Sequence, residues 1–156
     1  MAGSFQIYVT QPHTLYWTTP DRTAANITVE VDAEKVSGAD ANYFGMICRL
    51  QDSDNYYYLV VSSDGFYNIG KYKNCEFFSL LPDGWEYSEF IHQGETTNSI
   101  RADCIDDQIS LYANGTRLGQ VKDTDFTSGE YGLMAASLDI GGTKILFDNF
   151  VAQVAE

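Results

Sequence analysis

The chain has 156 residues, with 22 acidic against 9 basic side chains and a formal net charge of −13, a field that repels nucleic acid and anionic lipid and has no lysine–arginine stripe to overcome it. Eleven tyrosines, nine phenylalanines and two tryptophans exclude a disordered acidic chain and suit aromatic-rich strands. The length suits one domain over residues 1–156 that buries roughly two thirds of its extended surface. No apolar run of about twenty residues marks a membrane span, so no membrane insertion is expected; no signal peptide is visible, which leaves secretion open.

In chain order, Phe5 to Thr10 and Thr14 to Thr18 are short β candidates interrupted by Pro12, and Pro20 marks an edge or a turn. Ala25 to Val36 has a clear period of two, with Ile27, Val29 and Val31 facing one way and Thr28, Glu30 and Asp32 the other. Gly38-Ala39-Asp40 breaks it. Tyr43 to Lys73 then holds three β-rich runs, separated by Asp52-Ser53-Asp54-Asn55 and Ser62-Ser63-Asp64-Gly65, sequences that suit tight antiparallel turns. If Asp52 to Asn55 close the first turn, Leu50 lies opposite Tyr57, Arg49 opposite Tyr58, Cys48 opposite Leu59 and Met46 opposite Val61. One face is then Phe44, Met46, Cys48, Leu50, Tyr57, Leu59 and Val61, a core face that continues into Tyr67 and Ile69. The other reads Ile47, Arg49, Tyr58, Val60, Asn68 and Tyr72, too apolar for an ordinary wet surface and too polar for a simple core.

Glu76 to Leu81 offers a short strand, and Pro82-Asp83-Gly84 a turn before Trp85 and Tyr87. After the loop-like His92 to Asn98, Ser99 to Ile105 sends Ile100, Ala102 and Cys104 inward and Arg101 and Asp103 outward. Gln108 to Ala113 follows, and Asn114-Gly115 is the strongest hairpin turn in the chain, because both residues tolerate the positive φ of a type I′ turn. Leu118 and Val121 continue that ribbon, Asp123 to Gly129 is a polar connection, and Tyr131 to Leu138 and Lys144 to Val151 are the last strands. No segment sustains a helical stripe, and about a dozen short strands favour an all-β, two-sheet sandwich. Of the three cysteines, Cys48 and Cys104 read as reduced core residues, with a disulfide between adjacent strands left open, and Cys75 as exposed. His13 and His92 lack ligand spacing, so a structural zinc site is not expected.

Taken together, Asn42-Tyr43, Ile47-Cys48-Arg49, Asn55-Tyr56-Tyr57, Leu111-Tyr112-Ala113-Asn114-Gly115, Gly132-Leu133 and Asp148-Asn149-Phe150 give residues 25–151 a resemblance to the concanavalin A-like lectin/glucanase superfamily. Within it the sequence is most similar to bacterial laminin-G-like jelly-roll domains of unknown function. The resemblance implies two curved antiparallel sheets in a jelly-roll sandwich and, in some relatives, a glycan-binding concave face or a calcium ion at the rim.

The residues themselves carry little catalytic signal. Glu30-Val31-Asp32-Ala33-Glu34 spells the E-x-D-x-E of the superfamily's glucanases, but it stands before the long meander without aromatic company and reads as a solvated face. Nucleophile-elbow, metal-helix and phosphate-loop motifs are missing, so no catalytic residue is assigned and the chain reads as noncatalytic. Asp52 to Asn55 and Asp148-Asn149 are turn and strand-fastening chemistry that leave calcium open, with no cofactor established. The expected function is a noncatalytic carbohydrate-binding-like module of an extracellular or cell-envelope protein, with a glycan or protein partner and no nucleic acid. Arg49, Tyr58, Asn68, Tyr72 and Arg101 are its glycan-binding candidates. A structural or protein-interaction module is the alternative, and a glycoside hydrolase using Glu30 and Asp32 comes third.

Overall fold

The period-two runs all become strands, as alternation requires when one face of each is buried. A computed structural model describes residues 4–155. The first half holds β1 (Phe5–Val9), β2 (Thr14–Thr18), β3 (Thr23–Ala24), β4 (Asn26–Ser37), β5 (Asn42–Asp52), β6 (Asn55–Val61) and β7 (Phe66–Lys73). The second half holds β8 (Glu76–Ser79), β9 (Glu86–Tyr87), β10 (Thr97–Ile105), β11 (Gln108–Ala113), β12 (Thr116–Lys122), β13 (Gly129–Ser137) and β14 (Thr143–Ala155). Among the described residues there is no helix.

Two antiparallel sheets face each other. The six-stranded sheet runs in the order β1-β14-β4-β10-β11-β12; the eight-stranded one runs β2-β13-β5-β6-β7-β8, with β3 beside β13 and β9 beside β7. The chain changes sheet between β1 and β2, between β3 and β4, between β4 and β5, between β9 and β10, and on either side of β13, which is a jelly-roll course. Ile27, Val29, Val31 and Ala33 of β4 and Ile100, Ala102 and Cys104 of β10 meet Phe44, Met46, Tyr57, Leu59 and Val61 from the opposite sheet in one inter-sheet core. Burying each of the larger side chains contributes about 1.5–3 kcal/mol. The fold is therefore the all-β two-sheet sandwich that the alternation implies, in the jelly-roll form that the family resemblance implies.

The β5–β6 hairpin departs from the expected register. Asp52 pairs with Asn55 as the turn demands, but beyond the turn Cys48 pairs with Tyr57, Ile47 with Tyr58 and Met46 with Leu59. Arg49, Gln51 and Leu50 occupy β5 where β6 supplies only Tyr56, a bulge in which Arg49 takes the left-handed conformation at φ 52°. Tyr58 thus lies beside Ile47, not Arg49. Because the slip is of two residues, Phe44, Met46 and Cys48 keep their core side. Leu50 and Arg49 exchange sides: Leu50 joins the outer face and Arg49 turns inward.

Cys48 of β5 and Cys104 of β10 form a disulfide, with Cα atoms 6.8 Å apart, where the sequence reads as two reduced core thiols. The bond joins facing sheets and not adjacent strands, because both side chains point into the same layer from opposite sides. Cys75 is free and exposed, as read. The bridge spans 56 residues, and closing a loop of that length restricts the unfolded chain by about 4 kcal/mol in the chain-entropy account. The Cys48→Ala/Cys104→Ala double variant is expected to lose most of that stability in urea unfolding. Superimposable unfolding curves for the protein with and without reductant would show that the bridge contributes nothing.

Candidate functional site

The outer side of the eight-stranded sheet is the place where aromatic residues gather without belonging to the inter-sheet core. Register sets the pattern. One row across the strands is Trp17, Met134, Gly45, Val60 and Asn68. The next is Gly132, Ile47, Tyr58, Gly70 and Ser79, and the third carries Tyr56, Tyr72 and Phe77. Of the glycines in these rows, Gly70 lies under a tyrosine ring. Gly70 makes one such overlay necessary: a Cβ there would stand 2.2 Å from the Tyr58 hydroxyl and 2.4 Å from the Phe78 carbonyl.

Ile47, Tyr56, Tyr58, Val60 and Met134 are nearly sealed although they face away from the other sheet. Aromatic packing does the sealing. Tyr72 lies 5.4 Å from Tyr56 and 4.5 Å from Phe77, Phe77 stands edge-on to Tyr58 at 5.8 Å, and Trp85 covers Tyr43 at 5.8 Å. Tilted and edge-on pairs at these separations add about 0.5–1.5 kcal/mol each beyond burial. Phe77 and Trp85 remain exposed at 52% and 42%, so they form a rim and not a lid.

The polar tips of this face are unusual. Tyr58 donates a long bond of 3.4 Å to the Phe78 carbonyl. The hydroxyls of Tyr43, Tyr56 and Tyr72 have no protein partner among the described residues; Tyr43 and Tyr72 are half-buried, whereas Tyr56 is 1% exposed. They are donors and acceptors that the protein leaves unpaired in an apolar setting. Burial pushes Tyr43 up to about 12, and burial followed by the proximity of Tyr43 does the same to Tyr58. Tyr56 is raised by burial first and then by the proximity of Tyr43, Tyr72 and Tyr58.

The five glycan-binding candidates fall in three places. Tyr58, Asn68 and Tyr72 share the aromatic face, with Asn68 Oδ1 accepting from Ser79 Oγ at 2.7 Å. Arg49 lies at the end of the sandwich, 1% exposed, donating from Nε to the Ala25 carbonyl at 3.0 Å, from Nη1 to the Phe126 carbonyl at 3.2 Å and from Nη2 to Asn26 Oδ1 at 3.4 Å. Burial draws its pKa down, opposed by nearby Tyr57 and Asp106. Arg101 sits on the far side of the molecule, over the Tyr112 ring at 4.7 Å and bonded twice to Asp103.

That far side, the outer face of the six-stranded sheet, carries a polar groove of about 510 Å³ that includes Glu30, Asp32, Ser99, Arg101, Tyr112 and Asn149. Glu30 and Asp32 do share a face, as their spacing requires. Asp32 is committed: Ser99 Oγ donates to one oxygen at 2.5 Å and Asn149 Nδ2 to the other at 2.8 Å. Asn149 stands at a bulge of β14 in the left-handed region, φ 57°, so the Asp148-Asn149 pair fastens the terminal strand. In the Asp52–Asn55 turn, Asp52 Oδ1 accepts from the Asp54 backbone and from Asn55 Nδ2, and these bonds, the Asn55 one foremost, lower its pKa.

Tyr43, Tyr56, Trp17, Phe77 and Trp85 belong to the aromatic face without appearing among the sequence candidates. Tyr56 was within reach of the alternation, two residues before Tyr58. Trp85 was not, since it follows a turn and has no periodic context.

The sequence matches no family profile and no curated protein. Solved structures do share the fold. The carbohydrate binding module CBM66 from Bacillus subtilis is 14% identical with a TM-score of 0.76, covering 98% of this chain and 96% of that one. Sheep galectin-11, in complex with glycerol, is 11% identical with a TM-score of 0.60 over 92% of this chain and 98% of its own. The xylan β-1,4-xylosidase of Bacillus halodurans C-125 is 14% identical with a TM-score of 0.67 over 96% of this chain, which corresponds to 32% of the enzyme. At these identities the likeness establishes the concanavalin A-like sandwich and nothing finer.

Two outcomes are expected from this geometry. Arg49→Met keeps the aliphatic stem but removes three hydrogen bonds, one of them to the buried Phe126 carbonyl, and should cost about 2 kcal/mol in chemical denaturation; an unchanged midpoint would mean that the guanidinium holds nothing together. The second concerns alkali. Tyr43 and Tyr58 have folded pKa values near 12 against an ordinary value of 10.0, so the stability they confer is complete below about pH 10 and is lost as pH climbs towards 12. Phenolate absorbance should therefore rise in two stages, the later one coincident with loss of the near-ultraviolet circular dichroism.

Proposed function

We propose that the protein is a noncatalytic carbohydrate-binding module, laminin-G-like in sequence, of an extracellular or cell-envelope protein, and that saccharide binds on the aromatic face of the eight-stranded sheet. The observation that carries this reading is the set of tyrosine hydroxyls without a protein partner among the described residues, at Tyr43, Tyr56 and Tyr72, framed by the exposed rings of Trp85 and Phe77. A sugar ring has an apolar face and a circumference of hydroxyls. Aromatic planes with interspersed hydroxyl groups meet both needs, the usual composition of a ligand site being apolar walls with a few placed polar groups. Tyr58 forms the packed base of this site, Asn68 stands beside it and Tyr72 contacts the ligand.

The noncatalytic part of the reading is supported by chemistry. Hydrolysis of a glycosidic bond needs two carboxyl groups flanking the sugar, and of the pair in the far groove Asp32 is already bonded to Ser99 and Asn149. The protein resembles in fold both a carbohydrate binding module and a portion of a xylosidase, and the module is the reading that needs no further residues. The exposed rim rings also suit a protein partner, and the test separates the two.

Binding to a panel of soluble plant and bacterial polysaccharides, followed by affinity electrophoresis and calorimetry, is expected to yield at least one ligand. Trp85→Ala and Tyr72→Ala should each weaken it by about tenfold or more, a loss of about 1.4 kcal/mol, with little change in melting temperature for the exposed Trp85. Arg101→Ala on the far face should leave affinity intact. A folded protein that binds no member of the panel refutes the reading. Release of reducing ends that disappears in Glu30→Gln or Asp32→Asn would replace it with hydrolysis in the polar groove.

A further inference from the structure

A second opening lies elsewhere, at the edge of the sandwich where β1 and β14 of one sheet stand over β2 and β13 of the other. It encloses about 450 Å³, within the usual range for a small-molecule site. Its apolar walls come from Phe5, Leu133, Phe150 and Ala152. The small Ala152 leaves the space open, and β2 and β13 close its back tightly, since a Cβ on Gly132 would come within 1.9 Å of the Thr18 carbonyl.

Its polar groups make this more than a gap in packing. Tyr131, 5% exposed, lines the space, and its hydroxyl has no protein partner among the described residues. A ligand acceptor in the opening would give that hydroxyl the hydrogen bond the protein does not supply. Arg22 lines the same opening, exposed and free of any ion pair among the described residues. In a chain with 22 acidic residues, no aspartate or glutamate among the described residues lines this space. The neighbouring acids are Asp21, next to Arg22 in the chain, and Glu130, whose Oε1 accepts from Thr19 Oγ1 at 2.6 Å.

We propose that this pocket is a second binding site, separate from the aromatic face, for a small amphiphilic carboxylate. Its apolar body lies among Phe5, Leu133 and Phe150, and Arg22 and the Tyr131 hydroxyl are its hydrogen-bond donors. The charge decides the class. Two donors and no lining carboxylate favour an acid over an amine, and the apolar walls favour an aryl or alkyl acid over a bare inorganic anion.

The test is calorimetric titration of the full chain with 3-phenylpropionate and, as its uncharged counterpart, 3-phenylpropan-1-ol. The acid is expected to bind with Kd below about 1 mM and the alcohol about fivefold or more weaker. Arg22→Gln, at an exposed position, and Tyr131→Phe should each weaken the acid by about fivefold or more without lowering the melting temperature appreciably. Ala152→Phe, which fills the space, should abolish binding. Trp85→Ala should leave it unchanged, so failure here and failure of the saccharide reading are distinguishable. The proposal is overturned by the absence of saturable binding up to about 20 mM, by equal binding of acid and alcohol, or by variants at Arg22 and Tyr131 that bind the acid as tightly as the parent protein.

Discussion

One buried guanidinium organises the end of the sandwich on which the rest depends. Arg49 reaches from β5 to the Ala25 carbonyl and Asn26 at the start of β4, and to the Phe126 carbonyl in the connection after β12. It thereby ties two distant stretches to one side chain, immediately beside the cross-sheet disulfide at Cys48. A charged group so placed is tolerated only because its donors are satisfied. To point there it must leave its own ladder, and the left-handed bulge is what allows that.

The bulge has a consequence on the opposite side of the sheet. With Arg49 withdrawn, Leu50 completes the outer face beside Ile47, Tyr56 and Tyr58. The strand therefore presents a continuous apolar floor for the tyrosines where simple alternation would have placed a cation. The neighbouring connection is held in the same way: Tyr57 donates to Asp123 at 2.6 Å and accepts from the Phe126 backbone at 3.2 Å, while Lys71 bonds Asp123 at 3.0 Å. Stability at this end and composition of the aromatic face are two results of one local distortion.

The two sheets present opposite chemistries to solvent. The six-stranded sheet shows carboxylates, hydroxyls and an arginine stacked on tyrosine, mostly bonded to one another. The eight-stranded sheet shows rings, and the hydroxyls of Tyr43, Tyr56 and Tyr72 have no protein partner among the described residues. A polar surface that satisfies itself gains little from a ligand, whereas open hydroxyls set in an apolar field gain hydrogen bonds that strengthen in low dielectric. That contrast favours the aromatic face as the functional one, even though the longer list of charged residues lies on the other.

Sequence alone determined the strands, the turns and the two-sheet class, because a period of two and turn residues such as Asn114-Gly115 are local properties of the chain. It also determined that Tyr58, Asn68 and Tyr72 share a face, and that Arg101 and Glu30 do not belong to the core. Tertiary structure decided what depends on partners distant in sequence. The bulge at Arg49 exists because its guanidinium finds oxygens at residues 25, 26 and 126, and no local pattern encodes that. The disulfide required Cys48 and Cys104 to face each other from different sheets. Trp85 joined Tyr43 only because the segment after β8 folds back over β5. Alternation says which way a side chain points relative to its own strand; what it meets there is set by strand order, and strand order is fixed by the packing of the whole chain.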